Sequence, residues 1–492
     1  MQKKKENKEN YVKLNYDFMM FKRINQILIV VTVLTIFSMP KVFARQLNLD
    51  SAIAIAISNN ADVKIAALEL ERARSAVKEA YGYAYPTLDL TAQFSHFIEK
   101  PKMAFPDFGA MLNNSVYGVL FKEKVLPEDK NKFLPMATTL QTFALANSYN
   151  TTLQLQQVLF SSTVFKGISS SGIYKDLARE ALVSKISSAV LNTKKAFYGA
   201  LLAQEVLRIT QESFENAKKN FENVKAMQKQ GMVAEFDALR AEVQVENLRP
   251  LVYQMESNLE MVKNNLKIVL GIDQSEDITL EGELKYEDQK LLSENEYINL
   301  AVEKNFDLRT MKMKRNFDEA LIDLDISTYY PNIAAFGNYT LAGSSDDFNF
   351  KNYRQSLVGI NFSINLFNGF RTSQKVEQGK INVMKTDESI NQLKDVLISQ
   401  IKTKLVEIKK IQANIDAQNR NIELAQRAYN ISELRYKEGT GNQIEIENAD
   451  LALRQAKTNR LQSVYQYIST IAEIENLIGN LDQKYLKIKV EN

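Results

Sequence analysis

The chain has 492 residues, 62 basic and 59 acidic side chains, a net charge of +3, one histidine (His96) and no cysteine or tryptophan. So even a balance gives no electrostatic footing for nucleic acid. The missing cysteines exclude disulfides, thiolate metal sites and cysteine nucleophiles, and a single histidine leaves no material for a His-based triad or a multi-histidine metal site.

At the N-terminus, Lys22 and Arg23 precede an apolar run over residues 27–37, then Pro40 and Val42-Phe43-Ala44. A basic start, a short apolar stretch and small residues before a cut predict a secretory signal over residues 1–44. Translation would begin at Met1 or at Met19 or Met20. The run is shorter than the roughly 20 residues a membrane helix needs, so the mature chain is read as exported without a helical span.

Beyond it the chain is written twice. Asn60-Ala61-Asp62 through Pro86 aligns without a gap on Asn305-Phe306-Asp307 through Pro331. Leu159-Phe160 aligns on Leu366-Phe367, Gly231 on Gly439, and Gly271 on Gly479. A period of about 200 residues reads as two large equivalent halves rather than a solenoid. The expected domains are a first repeat over 45–271, a linker over 272–292, a second repeat over 293–480 and a tail over 481–492.

Each half carries the same elements. Residues 50–84 and 295–329 predict helices that end before a proline, since the residue preceding Pro avoids helical backbone. Alternating strands follow. Leu88, Leu90, Ala92 and Phe94 alternate with Asp89, Thr91, Gln93 and Ser95, and Val358, Ile360, Phe362, Ile364 and Leu366 form another such series. About ten residues per strand suits a tilted bilayer crossing. Long helices are expected over 161–230 and 368–438, the second with Ile401, Ile408, Ile415, Ile422, Tyr429 and Tyr436 at a seven-residue period. Gly231 and Gly439 end them. Helices over 235–269 and 443–477 return. An incoming and a returning helix stacked end to end match the length of one long helix.

Four strands cannot close a barrel, for which about eight is the minimum. In lipid an open sheet leaves backbone groups unpaired, so copies of the chain would have to share one barrel. The alternative is a small soluble sheet on a coiled coil, that is, a soluble periplasmic adaptor or scaffold without a barrel.

The doubled Asn-x-Asp and Tyr-Pro phrases, the doubled Leu-Phe strand ends and the two glycine turns followed by acidic helix starts resemble the TolC family of outer-membrane efflux and secretion channels. The resemblance spans about residues 47–479. It implies a mainly α fold with a membrane β-barrel portion. Long coiled helices would form an α-barrel, and four strands per chain would join a shared trimeric 12-stranded barrel. It further implies a homotrimer in outer-membrane lipid, extending into the periplasm. This would be the exit duct of a tripartite efflux or type I secretion system, docked on a periplasmic adaptor (membrane-fusion) protein and an inner-membrane pump. No catalytic, cofactor or metal site is expected.

By position, Asp237 and Tyr436 match members of the family's constriction latch; for Asp237 the alternative is favourable placement at a helix N-terminus. The family's arginine two residues after the second glycine is replaced by Gly441. Glu445, with Glu447 beside it, falls at the family's luminal acidic ring, and Asn448 stands where a second acid is expected; the alternative for Glu445 is a solvated first-turn acid. Adaptor docking is expected at Gly231, Met232, Val233 and Ala234 and at Gly439, Thr440 and Gly441. Residues 99–146 have no counterpart in the second half and read as an external loop that either plugs or decorates the mouth. Its Met103, Met111 and Met136 fit flexible apolar filler better than copper ligands, and His96 fits an interfacial side chain.

Overall fold

The computed structural model describes residues 45–487; the expected signal segment lies outside them. In chain order the elements are β1 (Arg45–Leu47), α1 (Leu49–Asn59), α2 (Ala61–Gly82), β2 (Thr87–His96), β3 (Met103–Pro106), α3 (Phe108–Lys122), β4 (Thr138–Gln141), β5 (Asn147–Ser161) and α4 (Ser162–Lys229). They continue as α5 (Glu235–Leu270), β6 (Ile278–Leu280), α6 (Glu294–Lys304), α7 (Phe306–Ser327), β7 (Asn332–Ser345), β8 (Lys351–Ser363), α8 (Arg371–Lys437), α9 (Gln443–Leu477) and α10 (Gln483–Lys487). Two compact units result, and each draws on both halves of the sequence.

One unit comprises residues up to Ile65, Lys185–Asn305 and those from Leu397. Its core joins Leu47, Phe197, Leu201, Leu266, Leu270 and Ile278 to the heptad isoleucines Ile401, Ile408 and Ile415, all buried. Lys195 and Lys404 close the rim on Glu473 at 2.6 and 2.8 Å. The parallel pair β1–β6 lies in this unit. It was invisible in sequence because each strand is only 3 residues long.

The incoming helices are not continuous. Each breaks at an asparagine, into α1 and α2 at Asn60 and into α6 and α7 at Asn305. Apolar spacing runs on across both breaks and no glycine or proline marks them, which is why sequence periodicity reads one helix. The Asn60 amide donates to Val269 O at 2.9 Å, and its Oδ1 accepts from Asp62 N at 2.9 Å. The Asn305 amide donates to Leu477 O at 3.0 Å. Each asparagine thus satisfies an orphan carbonyl at the end of a returning helix, and Asn60 also caps the helix that follows. These are the end-to-end helix junctions expected from the lengths.

Gly271 and Gly479 sit in the left-handed region, φ 67° and 65°. A Cβ there would lie 2.5 Å from Asn59 O and 2.2 Å from Lys304 O. Gly231 has φ 71° but open space around it.

The second unit, Ala66–Ser184 with Phe306–Val396, holds the antiparallel sheet β2-β5-β7-β8. Its register brings apolar residues together in rows that thin out toward β8. Leu88 pairs with Leu155, which pairs with Gly337, which pairs with Val358. Likewise Leu90 meets Leu153, and Leu153 meets Tyr339. The opposite face carries Asp89, Gln154 and Asn338 in one row, which ends on Leu357 in β8, and Thr91, Thr152, Thr340 and Gln355 in the next. Leu88, Leu90, Phe94, Val358 and Ile360 are exposed. Aromatic residues flank the apolar rows, with exposed Tyr83, Tyr85, Tyr329 and Tyr330 beside the helix-bearing ends of the strands. At the far rim Phe94 stacks on Phe348 and Tyr149 meets Phe350 edge-on, with centroids 6.5 and 5.3 Å apart.

Strands β5, β7 and β8, with 15, 14 and 13 residues, exceed the expected ten, and β5 carries a bulge between Val158 and Phe160. β8 ends at Ser363, so Ile364 and Leu366 lie beyond it. Residues 99–146 are not a bare loop. They fold into the antiparallel pair β3–β4 around α3. Among the described residues no helix is long and apolar enough to cross a membrane.

Gly271→Ala is expected to destabilise more than Gly231→Ala. Left-handed backbone costs alanine about 1–2 kcal/mol at either site, and only Gly271 adds a backbone collision. Thermal unfolding followed by circular dichroism in detergent measures the difference.

Candidate functional site

The two glycine turns lie in the first unit, between α4 and α5 and between α8 and α9. Both close in the same way. Met232 N donates to Met227 O at 3.0 Å and Thr440 N to Arg435 O at 2.9 Å, with Gly231 and Gly439 left-handed (φ 71° and 72°). This closure satisfies carbonyls that the helix ends would leave bare.

The decoration differs. α5 starts at Ala234 without a side-chain cap and carries Glu235 and Asp237 in its first turn, where negative charge offsets the exposed N–H groups. α9 is capped by Asn442, whose Oδ1 accepts from Glu445 N at 3.0 Å. Of the first turn's residues, Met232 and Ala234 are exposed and Val233 packs inward. Thr440 is exposed.

Glu445 pairs with Arg435 at 3.2 Å, and Arg435 also donates to Thr440 O at 3.2 Å. A Cβ on Gly441 would lie 3.0 Å from both Tyr436 N and Arg435 Cβ. Position 441 is therefore crowded by the preceding helix end, and the guanidinium at this tip comes from Arg435. Sequence reading did not single out Arg435. Its signal is an arginine in the last turn of one helix and a glutamate in the first turn of the next, separated by a turn with two glycines.

Behind the turns Tyr436, Val224, Ala238, Ala241 and Ile446 form a small buried cluster. The Tyr436 hydroxyl is buried with no hydrogen-bond partner, so Asp237 and Tyr436 make no latch bond within one chain. Burial, and secondarily the charge of Asp237, pushes this phenol up. A groove of about 520 Å³ adjoins Tyr436 and Tyr429 and is lined by the amides Asn216, Asn220 and Asn223.

Glu447 is half-buried and Asn448 exposed. Burial pushes the Glu447 carboxyl up, against the pull of Arg240. One turn on, Asp450 accepts from Ser213 Oγ at 3.3 Å, and burial raises its carboxyl as well. Asp450 was also missed; burial, and then the charge of Asp450, pushes the Tyr429 phenol up. This seam tolerates charge poorly and suits side chains that exchange hydrogen bonds across helices. Among the described residues no cluster of potential metal ligands occurs.

The family model described as outer membrane efflux protein matches residues 137–271 and 297–480. Outer membrane protein TolC of Salmonella enteritidis is 24% identical over 351 residues, covering 69% of this chain and 71% of that protein. Alkaline protease secretion protein AprF of Pseudomonas aeruginosa is 20% identical over 351 residues, covering 70% of this chain and 73% of its own. The solved structure of the Campylobacter jejuni CmeC outer membrane channel superposes with a TM-score of 0.66 at 16% identity, over 90% of this chain and 89% of that one. These findings leave the soluble scaffold reading without support.

A raised carboxyl makes a contribution that is full below its unfolded pKa and is lost as pH rises through the folded one. Asp450→Asn is therefore expected to raise the unfolding temperature more at pH 7 than at pH 3, below the ordinary carboxyl value of 3.8. Paired melts of variant and parent at the two pH values test this; an equal gain at both would show that Asp450 is ordinary.

Proposed function

The chain belongs to the outer membrane efflux protein family, and from that membership we propose that three copies close one barrel and share one periplasmic entrance. It is an outer-membrane channel, a passive conduit from periplasm to exterior. The observation that carries the trimer is the open sheet: four strands, both outer edges unpaired among the described residues, and an apolar row, Leu88–Leu155–Gly337–Val358, that crosses all of them. Joining β8 of one copy to β2 of the next pairs every edge, and three copies supply 12 strands in all. The apolar face then meets lipid and the Thr- and Gln-rich face lines a wet lumen.

At the entrance the glycine turns recur around the axis. Gly231, Met232, Val233 and Ala234, and Gly439, Thr440 and Gly441, are the places for a periplasmic adaptor to seat, which in turn would couple the duct to an inner-membrane pump. Asp237 and Tyr436 take the latch positions of the constriction, and Glu445, with Glu447 beside it and Asn448 at the second position, takes the acidic ring. Each Glu445 is offset by its own Arg435, so the acidic ring is weaker than its carboxylates alone would make it.

Native mass spectrometry of detergent-purified protein should give a trimer; a lone monomer defeats the proposal. In planar bilayers, Glu445→Lys is expected to lower cation selectivity, and Arg435→Gln to raise it by freeing the carboxylate. Reversal potentials unchanged in both variants would remove this pair from the pore.

A further inference from the structure

The sequence repeat is also a packing repeat, and one of its joints is missing from the chain. The register that puts Asn60 on Asn305 sets α2 on α7, each of 22 residues. The register that puts Gly231 on Gly439 sets α4 on α8. It lays buried Ala178, Leu182 and Ala189 on buried Thr386, Ile390 and Leu397. Both helices are unbroken, so it holds along their length.

Within the second unit α4 is covered from two sides. On one, Tyr174 bonds to Glu69 and Arg72 of α2. On the other, α7 lies against it. Lys166 pairs with Asp323 at 2.6 Å, Ser170 Oγ donates to Ala320 O at 3.2 Å, and Tyr174 packs on Phe317 with centroids 5.5 Å apart. α7 in turn meets α8, where Arg315 pairs with Asp387 at 2.5 Å and Thr386 donates to Asp318 at 2.7 Å.

The succession α2–α4–α7–α8 stops there. The α8 positions equivalent to Lys166, Ser170 and Tyr174 are Gln374, Gln378 and Asn382. The α2 positions equivalent to Asp323, Ala320 and Phe317 are Lys78, Ser75 and Arg72. All six are exposed. Arg72 uses one Nη for Glu69 and Tyr174; the other five side chains make no hydrogen bond or ion pair among the described residues.

We propose that a second copy of this chain occupies both flanks: α8 of one copy receives α2 of the next as α4 receives α7 within the chain. Gln374, Gln378 and Asn382 then face Lys78, Ser75 and Arg72 of the next copy. Cyclic symmetry brings unlike flanks together at every seam, which is what this joint needs. The chemistry matches, since side-chain amides accept from ammonium, hydroxyl and guanidinium groups. The joint also runs on from the strand edges, because α2 leads into β2 and α8 follows β8. Where the α4–α7 joint has an ion pair and a ring contact, the seam has polar side chains that water satisfies in an unassembled copy. This inference rests on the shared barrel proposed above.

The chain has no cysteine, so paired cysteines report on the seam in the full-length protein. Ser75→Cys with Gln378→Cys in one chain should oxidise to covalent dimers and trimers on denaturing gels, as the equivalent Ser170 and Ala320 touch. Ser75→Cys with Glu388→Cys, exposed and about 15 Å further along α8, should stay monomeric. Gln374→Glu gives Lys78 an anion and is expected to raise the temperature at which the trimer dissociates. Gln374→Lys should lower it, and adding Lys78→Glu should restore it. A trimer intact by native mass spectrometry whose 75–378 pair links no better than the 75–388 pair overturns the seam alone. So does a link confined within single chains, or a dissociation temperature indifferent to the sign of charge at position 374. A monomeric parent protein overturns the seam and the shared barrel together.

Discussion

The backbone of β2 and of β8 each presents one row of donors and acceptors that nothing among the described residues satisfies. In water such edges are a hazard managed by charge or twist. Here the residues beside them are Leu88, Leu90, Val358 and Ile360, exposed on one continuous face, and that face belongs in hydrocarbon, where an unpaired backbone group costs on the order of a few kcal/mol. Both demands are met by adding more of the same sheet. The register makes this specific: a slip of one residue in β2 would move Leu88 and Leu90 to the side of Thr152 and Thr340. Alternation within strands therefore sets pairing between strands, and the open edges are what the proposed sharing of a barrel between copies would close.

The duplicated sequence records a second constraint, met twice by the same chemistry. A returning helix must end against the break between two incoming helices. Its last carbonyls need donors, and its terminal backbone needs to pass close to another main chain. Asparagine supplies the amide at Asn60 and Asn305, and glycine the clearance at Gly271 and Gly479. Neither residue can be replaced singly without leaving an orphan carbonyl or a collision, so the two stay paired in both halves.

This explains which features could be read in advance. Period-two strands, heptad isoleucines and left-handed glycines impose their pattern on sequence directly, and Ile401, Ile408 and Ile415 are buried as their spacing requires. The helix breaks left no such mark, because asparagine is tolerated inside a helix and reveals its role only through a partner some two hundred positions away. The β1–β6 pair is too short to show a period. In the insertion the folding information lies in Asn113, Asn114 and Asp107 bonding to backbone, a pattern that composition reads as a polar loop. At the tip, Glu445 and Asp237 stood out by position, whereas Arg435 acts through a turn whose geometry only its two glycines hint at.

The tip turns share one backbone closure and differ in charge, and the difference has a direction. Where an arginine beyond the second glycine would reach outward, Gly441 lies against the end of α8, and Arg435 turns back onto Glu445 and Thr440 of its own chain. A cation so occupied is not free to hold a neighbouring protomer. The Tyr436 hydroxyl, meanwhile, is buried without a partner, a state that costs about 1–3 kcal/mol. Such a group favours any arrangement that supplies an acceptor, whether from a neighbouring helix or from water admitted by opening. With the arginine turned back and the phenol unsatisfied, the proposed constriction would depend less on charge pairs between copies than on the acceptor that the buried tyrosine finds.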